Sequence, residues 1–114
     1  MDDIRDKVMA IKNVAEFNDS DWWLTFYLTA PEERLKGLAA RLAPLGAVNL
    51  DGAEGGFLYP KLPVSSEPND VVRLVSQIRE LSDAEGVEAL SVDIDTSPDV
   101  TRSHFVELAR FCTE

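Results

Sequence analysis

The run SVDIDTSPD places oxygen donors at alternate positions: Asp93, Asp95, Ser97 and Asp99. Carboxylates at this spacing suit cation binding, or nucleophilic attack by one of them. A calcium loop opening at Asp93 needs glycine at its sixth place and glutamate at its twelfth. Those places hold Pro98 and His104. His104 is the only histidine and Cys112 the only cysteine, so no zinc set can be assembled from them. The turn GAEGG lacks the lysine and the following helix of a phosphate loop. No Gly-x-Ser-x-Gly elbow occurs either. With no nucleophile motif and no metal set, no cofactor is expected, and a binding role stands ahead of a catalytic one. Asp93, Asp95 and Asp99 then read as a solvated acidic strand end that steers a basic partner.

The same run resembles the Asp-x-Asp-x-Thr strand end of the haloacid-dehalogenase-like phosphatases, in which the first carboxylate is the nucleophile. The likeness stops at Ser97, which stands in place of the threonine. It also implies a lysine and further acids well downstream, whereas 15 residues follow Asp99.

The elements that must position these residues follow from apolar spacing. Ile4, Val8 and Ile11 predict a helix over 2–12, followed by the polar stretch NDSD at 18–21. In DWWLTFYLTA, Trp22, Leu24, Phe26 and Leu28 form one face of a strand and Trp23, Thr25, Tyr27 and Thr29 the other. Thr29 and Glu32 have the spacing of a capping box at the start of a helix. Leu35, Leu38, Leu42 and Leu45 line that helix, and Pro44 with Gly46 ends it. Residues 47–50 and 57–62 predict two short strands joined by a glycine-rich turn, the second weakened by Pro60 and Pro63. A helix after Pro68 presents Val71, Leu74, Val75, Ile78 and Leu81, with Gly86 as its stop. VEALSVDID is the next strand, with Leu90, Val92 and Ile94 inward. Residues 97–112 have helical spacing behind Ser97 and Pro98. HFVELARF also nearly alternates, which fits an extra strand.

This order, a helix, then βαββαβ, then a tail, predicts an α+β ferredoxin-like sandwich with an N-terminal helix and a C-terminal helix or extra strand. One domain is expected: residues 1–20 as helix and loop, 21–95 as core and 96–114 as tail element. Trp22, Leu24, Phe26 and Leu28 pack under the helices, which leaves Trp23 and Tyr27 on the open face. RNA-recognition modules stack bases on such a face. Here the charge is −10, with eleven acids against four bases in residues 65–114 alone. That field repels phosphates and attracts basic partners, so no direct nucleic-acid binding is expected.

The acidic start, the lone cysteine and the absence of a long apolar run predict a cytoplasmic protein with no membrane segment. The element order and the strand DWWLTFYL resemble the regulator of ribonuclease E activity B family, small acidic cytosolic bacterial proteins of ferredoxin-like fold with an N-terminal helix. The chain departs from that pattern in its apolar tail, where an acidic one is the family's habit. The resemblance implies inhibition of a ribonuclease through its protein scaffold; no motif fixes which residues correspond.

Two functions follow. In the first, Trp23, Tyr27 and Tyr59 anchor a basic protein partner that Asp93, Asp95 and Asp99 steer. In the second, a homodimeric enzyme or small-molecule sensor holds a pocket against the open sheet, lined by Trp23, Tyr27 and Ser91. A covered face, beneath the N-terminal helix, the tail or a second copy, is the alternative to either.

Overall fold

The computed structural model describes residues 2–14, 17, 22–96 and 105–111. Helix α1 covers Asp2–Lys12 and buries Ile4, Val8 and Ile11, as their spacing predicts. Strand β1, Trp22–Thr29, buries Trp22, Leu24, Phe26 and Leu28 to 2% exposure or less. The Trp22 indole lies edge-on to Phe17 and donates Nε1–H to its carbonyl at 2.9 Å, so the buried ring keeps its polar atom satisfied.

Helix α2, Glu32–Leu42, starts without the expected capping box. Pro31 occupies the cap position with no side-chain bond, and the Thr29 hydroxyl instead donates to the Gly56 carbonyl at 2.8 Å. Thr29 is still paired in β1, so its hydroxyl points across the sheet and not along the helix axis. The helix ends in a 3-10 turn over Ala43–Leu45, closed by Gly46 at φ 88°.

The predicted strand at 47–50 shrinks to a single bridge between Val48 and Lys61. The predicted strand at 57–62 is two pieces, β2 (Phe57–Leu58) and β3 (Lys61–Val64), both antiparallel to β1. Proline has no donor, which breaks the ladder at Tyr59–Pro60, yet the Pro60 carbonyl still accepts from the Phe26 amide at 3.0 Å. Helix α3, Pro68–Ala84, buries Val71, Val75 and Ile78, and Gly86 follows it at φ +70°. Strand β4, Glu88–Asp95, pairs with the other side of β1, and β5, Phe105–Arg110, pairs with β4.

Residues 105–110 are therefore the extra strand, and the helical reading of the tail is corrected for them. Val106 and Ala109 turn toward the core cluster, while Phe105 is 68% exposed. A helical assignment would have placed Phe105 and Leu108 side by side. Ser97, Asp99, His104 and Cys112 lie outside the described residues.

The result is an α+β layer structure with a five-stranded antiparallel sheet ordered β2/β3, β1, β4, β5. The described helices share one core with Leu24, Phe26, Val92, Ile94 and Leu108 on one face of that sheet. Helix α1 packs beside α3 and over β5. It does not cover Trp23 and Tyr27, which corrects that option for the opposite face. Among the described residues, no helix is long and apolar enough to cross a membrane.

Candidate functional site

The face of the sheet away from the helices carries Trp23, Thr25 and Tyr27 on β1. Register places Pro63 and Lys61 on one side of them and Asp95, Asp93 and Ser91 on the other. Residues directly opposite in an antiparallel pair share a face. Period two along β1 therefore dictates the composition of this surface once register is fixed.

At its centre the Lys61 ammonium donates to the Thr25 hydroxyl at 2.7 Å and to Asp95 Oδ2 at 2.9 Å. The Thr25 hydroxyl in turn donates to the same Asp95 oxygen. Beside this triangle, the Tyr27 hydroxyl donates to Asp93 Oδ2 at 2.6 Å. Thr25 faces Asp93 in register yet bonds Asp95, and Tyr27 faces Ser91 yet bonds Asp93. Both bonds run along the same diagonal of the sheet, a reach that cross-strand neighbours two residues on allow.

Asp93 and Asp95 are only 7% and 3% exposed. They are not the solvated strand end that the sequence predicts, and steering by exposed charge at these two positions is withdrawn. A carboxylate this buried persists because it is paired, and Lys61 supplies the counter-charge. Burial pushes the Asp93 carboxyl above its ordinary range. The Tyr27 hydrogen bond opposes that shift, while the negative charges of Asp95 and Glu107 add to it. Burial, then the Asp93 contact, raises the Tyr27 phenol well above its usual value. No buried side-chain nitrogen or oxygen among the described residues lacks a partner.

Aromatic side chains flank this polar centre. Tyr59 meets Tyr27 edge-on at 5.4 Å between ring centres, and Phe57 stacks on Tyr59 at 6.3 Å. Phe57 and Tyr59 are 45% and 41% exposed. Glu54, in the turn before Phe57, and Glu88, opposite Thr29, are exposed acids at the same end of the sheet. At the other end, a shallow recess of ≈ 340 Å³ is lined by Trp22, Trp23, Pro63, Val64 and Ser65.

Of the predicted site residues, Tyr27, Tyr59 and Asp93 come together. Trp23 and Asp95 are opposite one another in register. Asp99 lies outside the described residues. The sequence reading missed Thr25, Lys61 and Phe57. A signal was present for two of them: Phe57, Tyr59, Lys61 and Pro63 sit at period two, which predicts one shared face.

Comparison of the chain with protein-family models, with curated proteins and with solved structures found no match.

Proposed function

We propose that this chain is a small acidic regulator that binds a basic protein partner on its helix-free sheet face. The observation that carries this reading is the exposed ring band of Phe57 and Tyr59, continued inward by Tyr27 and bordered by Glu54 and Glu88. Aromatic rings bury much area with few rotors to freeze, which makes them efficient interface anchors. The polar groups that they flank satisfy one another, so the surface left for a partner is apolar with an acidic border. An arginine- or lysine-rich segment complements that border and can place its cations over the rings.

The sheet order supports a ferredoxin-like reading. The bridge at Val48 stands where an outer strand would lie, and β5 is an addition beyond β4. That reading keeps the resemblance to the ribonuclease regulators in play, with a ribonuclease or its scaffold as one candidate partner and the cytoplasm as the compartment.

The test compares wild type with Phe57→Ser, Tyr59→Ser as bait in the native cytosol, followed by association kinetics with the captured protein at rising ionic strength. A basic protein held by wild type and lost by the double variant, with an association rate that falls as salt rises, supports the assignment. Capture unchanged by the two substitutions, or a rate indifferent to salt, overturns it.

A further inference from the structure

At the acidic end of the helix-free face, register sets Phe57, Thr29 and Glu88 in one row across β2, β1 and β4. Leu28 and its opposite residues Leu58 and Ala89 belong to the core on the helix side, so alternation turns the Thr29 row to the open side. Tyr27, with Tyr59 edge-on to it, stands one step along the same face. Every residue of this frame lies within the described stretch 22–96.

Thr29 makes the middle of the row its lowest point. Its side chain is short, and its hydroxyl is already committed to the Gly56 carbonyl at 2.8 Å, away from β4. Neighbouring strands run roughly 5 Å apart, so the backbones of Phe57 and Glu88 are separated by about 10 Å with only the threonine between them. The result is a notch framed by an exposed ring, a half-buried phenol and a carboxylate.

Glu88 is exposed, and among the described residues no cation meets its carboxylate. Other acids are matched: Glu32 by Lys36, Asp70 by Arg73, and Glu85 by Arg41. The rings are held in place as well. Tyr27 is fixed by its 2.6 Å bond to Asp93, and the Tyr59 carbonyl accepts from Asn49 Nδ2 at 2.8 Å.

Lysine and arginine both satisfy an acidic border, but this notch distinguishes them. A planar guanidinium presents two N–H groups to one carboxylate and its flat side to a ring at the same time, and it sheds water more readily than an ammonium. A lysine brings a compact, strongly hydrated charge without that second surface.

We propose that the notch over Thr29 receives an arginine side chain of the basic partner, its guanidinium paired with Glu88 and packed against the rings of Phe57 and Tyr27. This inference rests on the partner reading above and adds its specificity: arginine, not lysine, is the anchoring residue.

Titration calorimetry with hexa-arginine and hexalysine peptides, equal in charge, tests it on wild type and three variants at one ionic strength. Wild type is expected to bind hexa-arginine at least about tenfold more tightly than hexalysine. Glu88→Gln removes the charge and keeps the shape; Thr29→Leu fills the notch and keeps Glu88 and both rings. Each is expected to abolish most of the arginine preference. Thr29→Val loses the same hydroxyl bond as Thr29→Leu but leaves the notch open, and is expected to retain the preference. Equal binding of the two peptides by wild type overturns this inference and leaves the basic-partner reading standing. So does a preference that survives Glu88→Gln and Thr29→Leu, or one that Thr29→Val also loses. Binding of neither peptide to wild type overturns this inference together with the reading it rests on.

Discussion

The Lys61 ammonium lies 2.9 Å from the Asp95 carboxylate in the middle of a sheet face on which no described helix packs. Both side chains are 5% exposed. Desolvating two charges consumes most of what their attraction returns, so such a pair stabilises little over a well-packed apolar substitute. Removing one partner is another matter, because the survivor is a buried charge with no counter-ion.

Lys61→Met alone, or Asp95→Asn alone, is therefore expected to cost about 3–5 kcal/mol in urea denaturation. The triple variant Thr25→Val, Lys61→Met, Asp95→Leu removes the whole triangle and is expected to recover most of that loss. Single substitutions costing below about 1 kcal/mol would show that water reaches the pair.

Asp93 gives the fold a pH dependence of definite sign. Its folded pKa lies above the ordinary 3.8, so the folded state holds its proton more tightly than the unfolded chain does. That contribution is complete below 3.8 and disappears as pH rises through the folded value. Asp93→Asn keeps an acceptor for Tyr27 without the charge. The variant is expected to gain melting temperature relative to wild type at pH 7 and to lose that advantage near pH 3. An advantage that is the same at both pH values would assign the effect to packing.

Tyr27→Phe removes the donor that favours the Asp93 carboxylate. The Asp93 midpoint, followed by carboxyl carbon chemical shift, is expected to move further upward. The fold is expected to lose about 1.5–3 kcal/mol, the usual range for a bond to a charged acceptor. An unmoved Asp93 midpoint would mean that the hydroxyl contributes packing alone.

Two glycines are expected to respond oppositely to alanine. Gly86 has φ +70°, and an added Cβ would lie 2.6 Å from Arg34 Nη1, the mobile end of a long side chain. The backbone conformation therefore sets the cost of Gly86→Ala, about 1–2 kcal/mol. Gly55 has no neighbour within 4 Å and no positive φ. Gly55→Ala is expected to be neutral or to stabilise by about 0.4–1 kcal/mol through the unfolded chain. Thermal unfolding of both variants decides it.

The core of this fold is legible from period alone. Trp22, Leu24, Phe26 and Leu28 alternate, and Leu35, Leu38 and Leu42 recur at helical spacing; all are buried where those patterns put them. The candidate site is legible only in part, because Lys61 meets Asp95 across β1, through a register that no local pattern encodes. Without that register, two aspartates at a strand end read as solvated. The capping box failed for a related reason: Thr29 had a competing acceptor, Gly56, 27 residues away. The tail reads as either helix or strand because its one extra residue, Leu108, disturbs the alternation by which a strand is recognised.

Strand β1 takes its hydrogen-bonding neighbours from residues 57–64 on one side and 88–95 on the other. On the ribosome it is made before either of them. WWLTFYLT carries no charge and no proline, and it is dense in residues that favour cross-β stacking. While synthesis runs through the intervening segments, the nascent chain exposes this strand with both edges unsatisfied, the condition in which sheets form between molecules instead of within one. Slow translation between residues 30 and 95 is expected to raise the demand for chaperones that shield such a segment, even though the finished protein buries its apolar face completely.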